Sequence, residues 1–199
     1  MSNNNAPFGL KPLNLNGTAW SGQGKLIYIP SSQGAIFIGD PLIPLGTTDA
    51  FGVPAWGIAT AGATHIWGGS FLGVANGPAG SGSTLLQSSP VYHAASVAGY
   101  GFVCDDPDVL YTVMEDSVGG NIAITSGGYV SANLTAGGGG STVTGMSSWM
   151  LDSSTVGADA TYQVKVLGLT RGPDNAIGNY ARWNVFNNLP ILAPNVAGI

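Results

Sequence analysis

The stretch that decides the fold is residues 100–114, which reads YGFVC, then DDPD, then VLYTVM. Its first and last pieces are rich in β-branched and aromatic residues, which favour strands. The middle piece places Asp before Pro, a combination that is typical of a turn. In the second strand Val109, Tyr111 and Val113 alternate with their neighbours and share one face. The stretch therefore predicts two strands joined by a turn at Asp105–Asp108.

The same rhythm of strand, Gly or Pro turn, and strand recurs along the whole chain, for example at residues 25–29, 162–169 and 181–186. Glycine is abundant, with 32 residues, and Glu115 is the only Glu, so sustained helices are disfavoured. The sequence predicts an all-β fold, a β-sandwich or barrel with many short antiparallel strands. Within it, the Pro-containing segment 42–45 is predicted as an edge strand.

The distribution of charge predicts a protein that works inside an assembly. No Asp, Glu, Lys or Arg lies between Asp49 and Asp105, and charged residues are 8% of the chain, against roughly a quarter in ordinary globular proteins. Such a surface resists association poorly, so we expect fellow subunits to shield it.

Charge and hydropathy also exclude two classes of partner. A net charge of −5 with few, scattered cations argues against nucleic-acid binding, which needs a basic face. The uncharged stretches are interrupted by Gly, Pro and Ser every few residues, so none is expected to form a membrane helix.

Residues 1–22 are predicted to form an extended N-terminal arm, and residues 23–199 a β-rich body. Pro7 and Pro12 keep the residues before them extended, and Phe8 and Leu10 are apolar anchors that suit an arm lying on a neighbouring subunit. A disordered terminus is the alternative. The Gly- and Ser-rich segment 75–90 is a candidate boundary between two β subdomains of the body.

No residue pattern predicts catalysis, a cofactor or a metal. His65 and His93 have no His or Cys at ligand spacing, and structural roles are favoured for both. The acidic turn Asp105–Asp108 lacks the offsets of a calcium loop, so a turn or an interface contact is favoured over a metal site. Cys104 is beside two carboxylates, which disfavour a thiolate. We expect the protein not to be an enzyme; an esterase or glycosidase would need a nucleophile–His pair or two facing carboxylates.

Several segments resemble the small structural proteins of tailed bacteriophages that decorate the capsid, also called cement proteins. The resemblance is carried by residues 5–12 (NAPFGLKP), 37–41 (FIGDP), 103–111 (VCDDPDVLY), 173–175 (PDN) and 185–187 (VFN). It implies a homotrimer on the outer surface of the virion capsid, bound where subunits of the major capsid protein meet. It implies no catalytic residue and no cofactor.

The residues that we expect at the interface with the capsid come from the arm and from the acidic turn. They are Phe8, Leu10, Pro12, Asp105, Asp106 and Asp108. Deleting residues 1–12 is expected to weaken capsid binding and leave the fold intact. The alternative function is a phage fibre or adhesin-type β module that binds host surface glycans through exposed tryptophans. The chain has five tryptophans in total.

Overall fold

The structure is a computed structural model that describes residues 3–15, 18–81, 90–122 and 128–191. Its strands confirm the predicted all-β fold, with antiparallel sheets packed against each other. The strands are β1 (Lys11–Leu15), β2 (Thr18–Ala19), β3 (Lys25–Ile29), β4 (Pro41–Thr48), β5 (Pro54–Ile58), β6 (Gly69–Ala75), β7 (Gly99–Cys104), β8 (Val109–Met114), β9 (Val130–Ala132), β10 (Leu134–Thr135), β11 (Met150–Leu151), β12 (Val164–Leu169) and β13 (Arg182–Asn187). A short 3-10 helix, Ser153–Thr155, follows β11.

Five of these strands close a small barrel in the order β3-β5-β4-β6-β7. The β3–β5 contact is parallel and the other pairings are antiparallel. Alternating side chains of β3 point inward, so Ile27 and Ile29 are fully buried. They pack with Trp56, Phe71 and other apolar residues in a core that lies inside the barrel.

A six-stranded antiparallel sheet, in the order β2-β1-β8-β13-β12-β9, forms the second layer. The predicted face of β8 is confirmed, because Val109, Tyr111 and Val113 are all buried in one cluster. That cluster also contains Trp67 and Cys104, which belong to the barrel segment of the chain. The second hydrophobic core therefore joins the sheet to the barrel.

The segment 42–45 was expected at an edge, and the structure shows Leu42 paired on both sides but Pro44 paired on one side only. It belongs to β4, which pairs with β5 on one side and with β6 on the other. The pairing with β6 involves only Pro41 and Leu42, whereas Pro44 pairs with Trp56 of β5. Proline is tolerated inside the barrel because Pro44 lies where only one side of the strand is paired.

The boundary expected near residues 75–90 is also wrong. Those residues lie between β6 and β7, which pair with each other in the same barrel. The chain passes from the barrel to the sheet at the Asp105–Asp108 turn, which joins β7 to β8. Residues 82–89 lie outside the described part of the chain. This change of sheet, which follows an earlier one between β2 and β3, coincides with the stretch that first indicated the fold.

The N-terminal arm lies on its own chain. Residues 11–15 form β1, which pairs with β8 inside the sheet, and Leu10 is fully buried. Leu10 is therefore corrected from an interface anchor to a core residue. For the same reason, deleting residues 1–12 is now expected to destabilise the fold, since the deletion removes a buried Leu and part of a paired strand. Residues 1–2 and 16–17 lie outside the described ranges.

Candidate functional site

The arm is fixed to the body by a close crossing of two backbones. The Leu10 amide donates to the Gly39 carbonyl oxygen at 2.8 Å, and the Ser70 hydroxyl donates to the Leu10 carbonyl oxygen at 2.6 Å. Gly9 and Gly39 both have positive φ, +71° and +95°. A Cβ on either glycine would collide with the backbone of the other segment, so only glycine fits at this crossing.

The outer end of the arm is latched to the loop before β13. The Asn3 side-chain amide donates to the carbonyl oxygens of Ala176 and Asn179 at 2.7 and 3.0 Å. The Ala176 amide donates back to Asn3 Oδ1 at 3.0 Å. The arm therefore connects the barrel, at Gly39 and Ser70, with the sheet, at β8 and the 176–179 loop.

Residues of the arm and of the body together line an apolar groove of about 490 Å³. Its walls include Phe8 and Leu10 of the arm, Ile38 and Leu72 of the barrel segment, and Met146. The cations Lys11 and Arg182 also line it, and Arg182 is paired with Asp174 at 2.6 Å. Of the predicted interface residues in the arm, Phe8 is half-buried against this groove and Pro12 is half-buried within β1.

The acidic segment Asp105–Asp108 forms the predicted turn. The Asp108 amide donates to Asp106 Oδ1 at 2.9 Å, as in other turns begun by Asp. Asp105 pairs with Lys25 of β3 at 3.2 Å. Asp108 is exposed, and Asp105 and Asp106 are half-buried. The turn leaves part of this acidic surface accessible, and its role as a contact remains a prediction.

The isolated histidines and the cysteine do not meet catalytic partners in the described part of the chain. His93 is buried, and neither ring nitrogen has a hydrogen-bond partner among the described residues. Cys104 is buried as well, and burial raises the pKa of its thiol. Among residues 3–15, 18–81, 90–122 and 128–191, no three His, Cys, Asp or Glu side chains are grouped to hold a metal ion.

The tryptophans are core residues rather than an exposed platform. Trp56, Trp67, Trp149 and Trp183 are all buried, and only Trp20 is partly exposed. Burial of this kind is the ordinary packing role of Trp. The glycan-binding alternative therefore loses the exposed tryptophans on which it depended.

The barrel has an almost uncharged exterior. Residues 25–104 contain only Lys25, Asp40 and Asp49 as charged residues. Lys25 is paired with Asp105, and Asp40 is 2% exposed. Asp49 accepts the Tyr100 hydroxyl at 2.5 Å and two backbone amides of its own turn. Each of the three charges in this segment is thus either buried or engaged within the chain.

Large apolar side chains lie exposed in the same segment. The strand residue Phe102 is 42% exposed, and Phe51 is 50% exposed. The others are Leu45, Val91 and Val97. The sequence showed the gap in charge, but not that the gap coincides with a closed barrel, because barrel closure depends on pairing between distant segments.

No helix among the described residues is both long enough and apolar enough to cross a membrane. Comparison of the chain with protein-family models, with curated proteins and with solved structures gives no match.

Proposed function

We propose that this protein is a virion structural protein that decorates the outer surface of a bacteriophage capsid. In this role it stabilises the shell, as a homotrimer, by bridging subunits of the major capsid protein. The resemblance of the arm and of the acidic turn to capsid decoration proteins supports the proposal. The observation that carries it is the barrel, which has few charges: Asp40 is buried, Lys25 is paired with Asp105, and Asp49 is hydrogen-bonded to Tyr100.

An uncharged exterior lowers the cost of association. Burying an unpaired charge in an interface costs several kcal/mol, whereas burying apolar and uncharged polar surface costs far less. The centres of protein interfaces are accordingly depleted of charge and enriched in aromatic residues. The barrel has few charged residues and exposes Phe51 and Phe102, so its surface matches that composition.

A capsid lattice suits a protein of this kind. A decoration protein gains affinity from simultaneous contacts with several subunits, so each contact can be weak. It needs no reactive centre, and the described residues offer no cluster of metal ligands and no partner for His93. The proposal therefore assigns binding to surfaces of the fold and not to a pocket.

The alternative, a fibre or adhesin module for host glycans, is less well supported. That alternative relied on exposed tryptophans, and four of the five are buried in the two cores. We therefore do not propose it as a second function.

Charge substitution on the barrel tests the proposal. Phe102→Lys places a cation on β7, whereas Val118→Lys places one at an 81% exposed position beyond β8. Binding to shells assembled from the cognate major capsid protein is measured by co-sedimentation, and folding by thermal melting. Phe102→Lys is expected to weaken binding at least about tenfold, equivalent to about 1.4 kcal/mol, with little change in melting temperature.

The control variant Val118→Lys is expected to bind as the wild type does. Wild-type protein that does not bind shells, or equal binding by Phe102→Lys and wild type, would overturn the proposal. Location of the chain in purified virions provides a second readout, because a decoration protein must be present in many copies on the outside of the shell.

A further inference from the structure

His93 is a buried polar residue whose ring has no hydrogen-bond partner among the described residues. The residue is 4% exposed, and neither Nδ1 nor Nε2 is paired. Burial lowers the pKa of His93, so at about pH 7 the ring is neutral and offers one donor and one acceptor. Buried polar groups without a partner cost free energy, and native proteins seldom keep them. A partner for this ring is therefore expected from outside the described part of the chain.

The His93 ring borders a crevice at one end of the barrel. The crevice has a volume of about 270 Å³ and lies where the segment 90–98 meets β6 and β7. The Nε2 edge of the ring faces Gly99, which also lines the crevice, since a Cβ on that glycine would lie 2.8 Å from Nε2. Val74 and Tyr100 contribute further walls. A buried polar ring thus borders a mostly apolar space.

The lining of the crevice excludes a charged occupant. None of the described residues that line it is Asp, Glu, Lys or Arg. A charged group placed there would lose its hydration without gaining a counter-ion, which is strongly unfavourable. The occupant that fits is therefore uncharged, with an apolar body and a group that can hydrogen-bond to a neutral imidazole.

The size and the rim of the crevice favour a single side chain from a partner protein. Sites for whole small molecules span about 300–1,000 Å³, and this crevice is smaller, at about 270 Å³. Val91 is 45% exposed, and Val97, which lines the crevice, is 53% exposed. A pocket with exposed apolar residues around it is typical of a site that takes an anchor residue in a protein interface.

Tyrosine meets these requirements better than the other common anchor residues. Trp, Tyr and Arg are the residues most enriched as anchors in protein interfaces. Arg is charged, and Trp can only donate a hydrogen bond. The hydroxyl group of Tyr can both donate and accept, so it can pair with either nitrogen of the His93 ring.

We propose that the crevice beside His93 binds a tyrosine side chain of a partner protein, with the phenol hydroxyl group hydrogen-bonded to the imidazole. The contact provides the buried ring with a partner and buries the aromatic ring of the tyrosine. The inference deepens the proposed function, because an uncharged surface still needs a few anchor residues to bind tightly. It rests on that function for the source of the tyrosine, a subunit of the major capsid protein.

Titration with p-cresol, the side-chain analogue of tyrosine, tests the crevice without the capsid. The chain has two histidines, so ¹⁵N NMR can follow the ring nitrogens of His93 with exposed His65 as an internal control. We expect the His93 signals to shift saturably, with a Kd of about 1 mM for a ligand of this size. Toluene, which lacks the hydroxyl group, should bind about fivefold more weakly. His93 signals that do not move, or equal binding of the two compounds, would overturn the proposal.

Two matched pairs of variants separate loss of the site from damage to the fold. His93→Phe keeps an aromatic ring without the nitrogens, so p-cresol should bind it no better than toluene does, and His65→Phe is its control. Val97→Trp fills the mouth of the crevice and should weaken p-cresol binding at least about tenfold, whereas Val118→Trp, at an 81% exposed position, should not. Ligand-observed NMR measures the affinities, and thermal melting checks folding. Normal p-cresol binding by folded Val97→Trp would overturn the proposal.

Binding to capsid shells tests the source of the tyrosine. Val97→Trp should co-sediment with shells at least about tenfold more weakly than Val118→Trp, because anchor residues carry a large share of interface energy. If p-cresol shifts His93 but the wild-type protein does not bind shells, the proposed function fails and the crevice site stands. If shells bind the wild type and Val97→Trp equally, the capsid is refuted as the source of the tyrosine. If shells bind but His93 ignores p-cresol, only the crevice site is refuted.

Discussion

Gly39 shows how a single residue fixes the arm. It has φ +95°, and a Cβ there would collide with the Phe8 carbonyl oxygen. Gly22 has a similar φ of +84°, but no atom within 4 Å of the corresponding position. A comparison of Ala substitutions at the two glycines therefore separates the free-energy cost of the positive φ from the cost of the collision.

Gly39→Ala is expected to lower the free energy of unfolding by about 3 kcal/mol or more, because the strain of positive φ is added to a backbone clash. Gly22→Ala, the matched control, should cost only about 1 kcal/mol. Urea denaturation of the two variants measures the difference. Equal losses would show that the arm does not cross Gly39 as the structure has it.

Asp40, next to that crossing, links the stability of the fold to pH. It is 2% exposed, and its Oδ2 accepts the Phe37 amide at 2.8 Å. Burial raises the pKa of Asp40 from 3.8 to about 6, against the opposing effect of the hydrogen bond from the Phe37 amide. The folded chain therefore holds this proton to a higher pH than the unfolded chain does.

The free energy of unfolding should therefore fall as pH rises from about 4 to about 6, with no further loss from Asp40 above that. Asn does not titrate, so the free energy of unfolding of Asp40→Asn relative to that of the wild type should rise by about 2 kcal/mol between pH 4 and pH 7. Denaturant melts at each pH provide the measurement. Asp108→Asn, in the exposed turn, is the control, and a difference curve for Asp40→Asn that stays flat would contradict the prediction.

At the scale of elements, Gln163 joins the barrel to the sheet. It is fully buried just before β12. Its Oε1 accepts the amides of Gly62 and Leu134 at 2.9 and 3.1 Å. Its Nε2 donates to the Thr60 carbonyl oxygen at 2.9 Å. One side chain thus satisfies three backbone groups from two separate segments.

Gln163→Leu keeps the size of the side chain but leaves these three backbone groups unpaired. The expected loss is about 3 kcal/mol in the free energy of unfolding. Gln163→Glu keeps both acceptor bonds and sets a carboxylate oxygen against the Thr60 carbonyl oxygen. At low pH, where the protonated carboxyl group can donate, Gln163→Glu should therefore lose less free energy of unfolding than Gln163→Leu. At neutral pH it should lose more. Denaturation at pH 5 and pH 8 distinguishes this pattern from a simple packing defect.

Strands with a clear pattern could be predicted from sequence, and the pairing of those strands could not. The segments of β3, β7, β8 and β12 combine β-branched residues with alternation, so their existence followed from local chemistry. The partnership of β1 with β8 joins residues about 100 positions apart, and no local pattern specifies it. For the same reason the apolar residue Leu10 suggested an external anchor, although it belongs to the core. Gln163 carried no signal, since an isolated Gln in a strand pattern is usually exposed.

At the scale of the whole molecule, several of the described strands have their outer sides covered by other parts of the chain. The barrel strands follow a closed order, although the part of β4 that contains Pro44 is paired only with β5. On the outer side of β9, Ser131 exchanges backbone hydrogen bonds with Gly157 at 2.7 and 2.9 Å, and on the outer side of β1 lies β2. Sheets protected in this way avoid uncontrolled strand addition. Assembly is therefore expected to use contacts between side chains on the outer face of the barrel rather than the addition of a strand at a sheet edge.

The sensitivity of assembly to salt distinguishes the barrel from the acidic turn as the principal contact. A contact through Asp105, Asp106 and Asp108 with a basic partner would weaken steeply as ions screen it. Burial of uncharged barrel surface is unaffected by screening. We therefore expect the dissociation constant for capsid shells to change less than about threefold between 50 and 500 mM sodium chloride. Binding that weakens more than about tenfold over that range would place the contact at the acidic turn instead, and Asp108→Asn would then reproduce the loss at low salt.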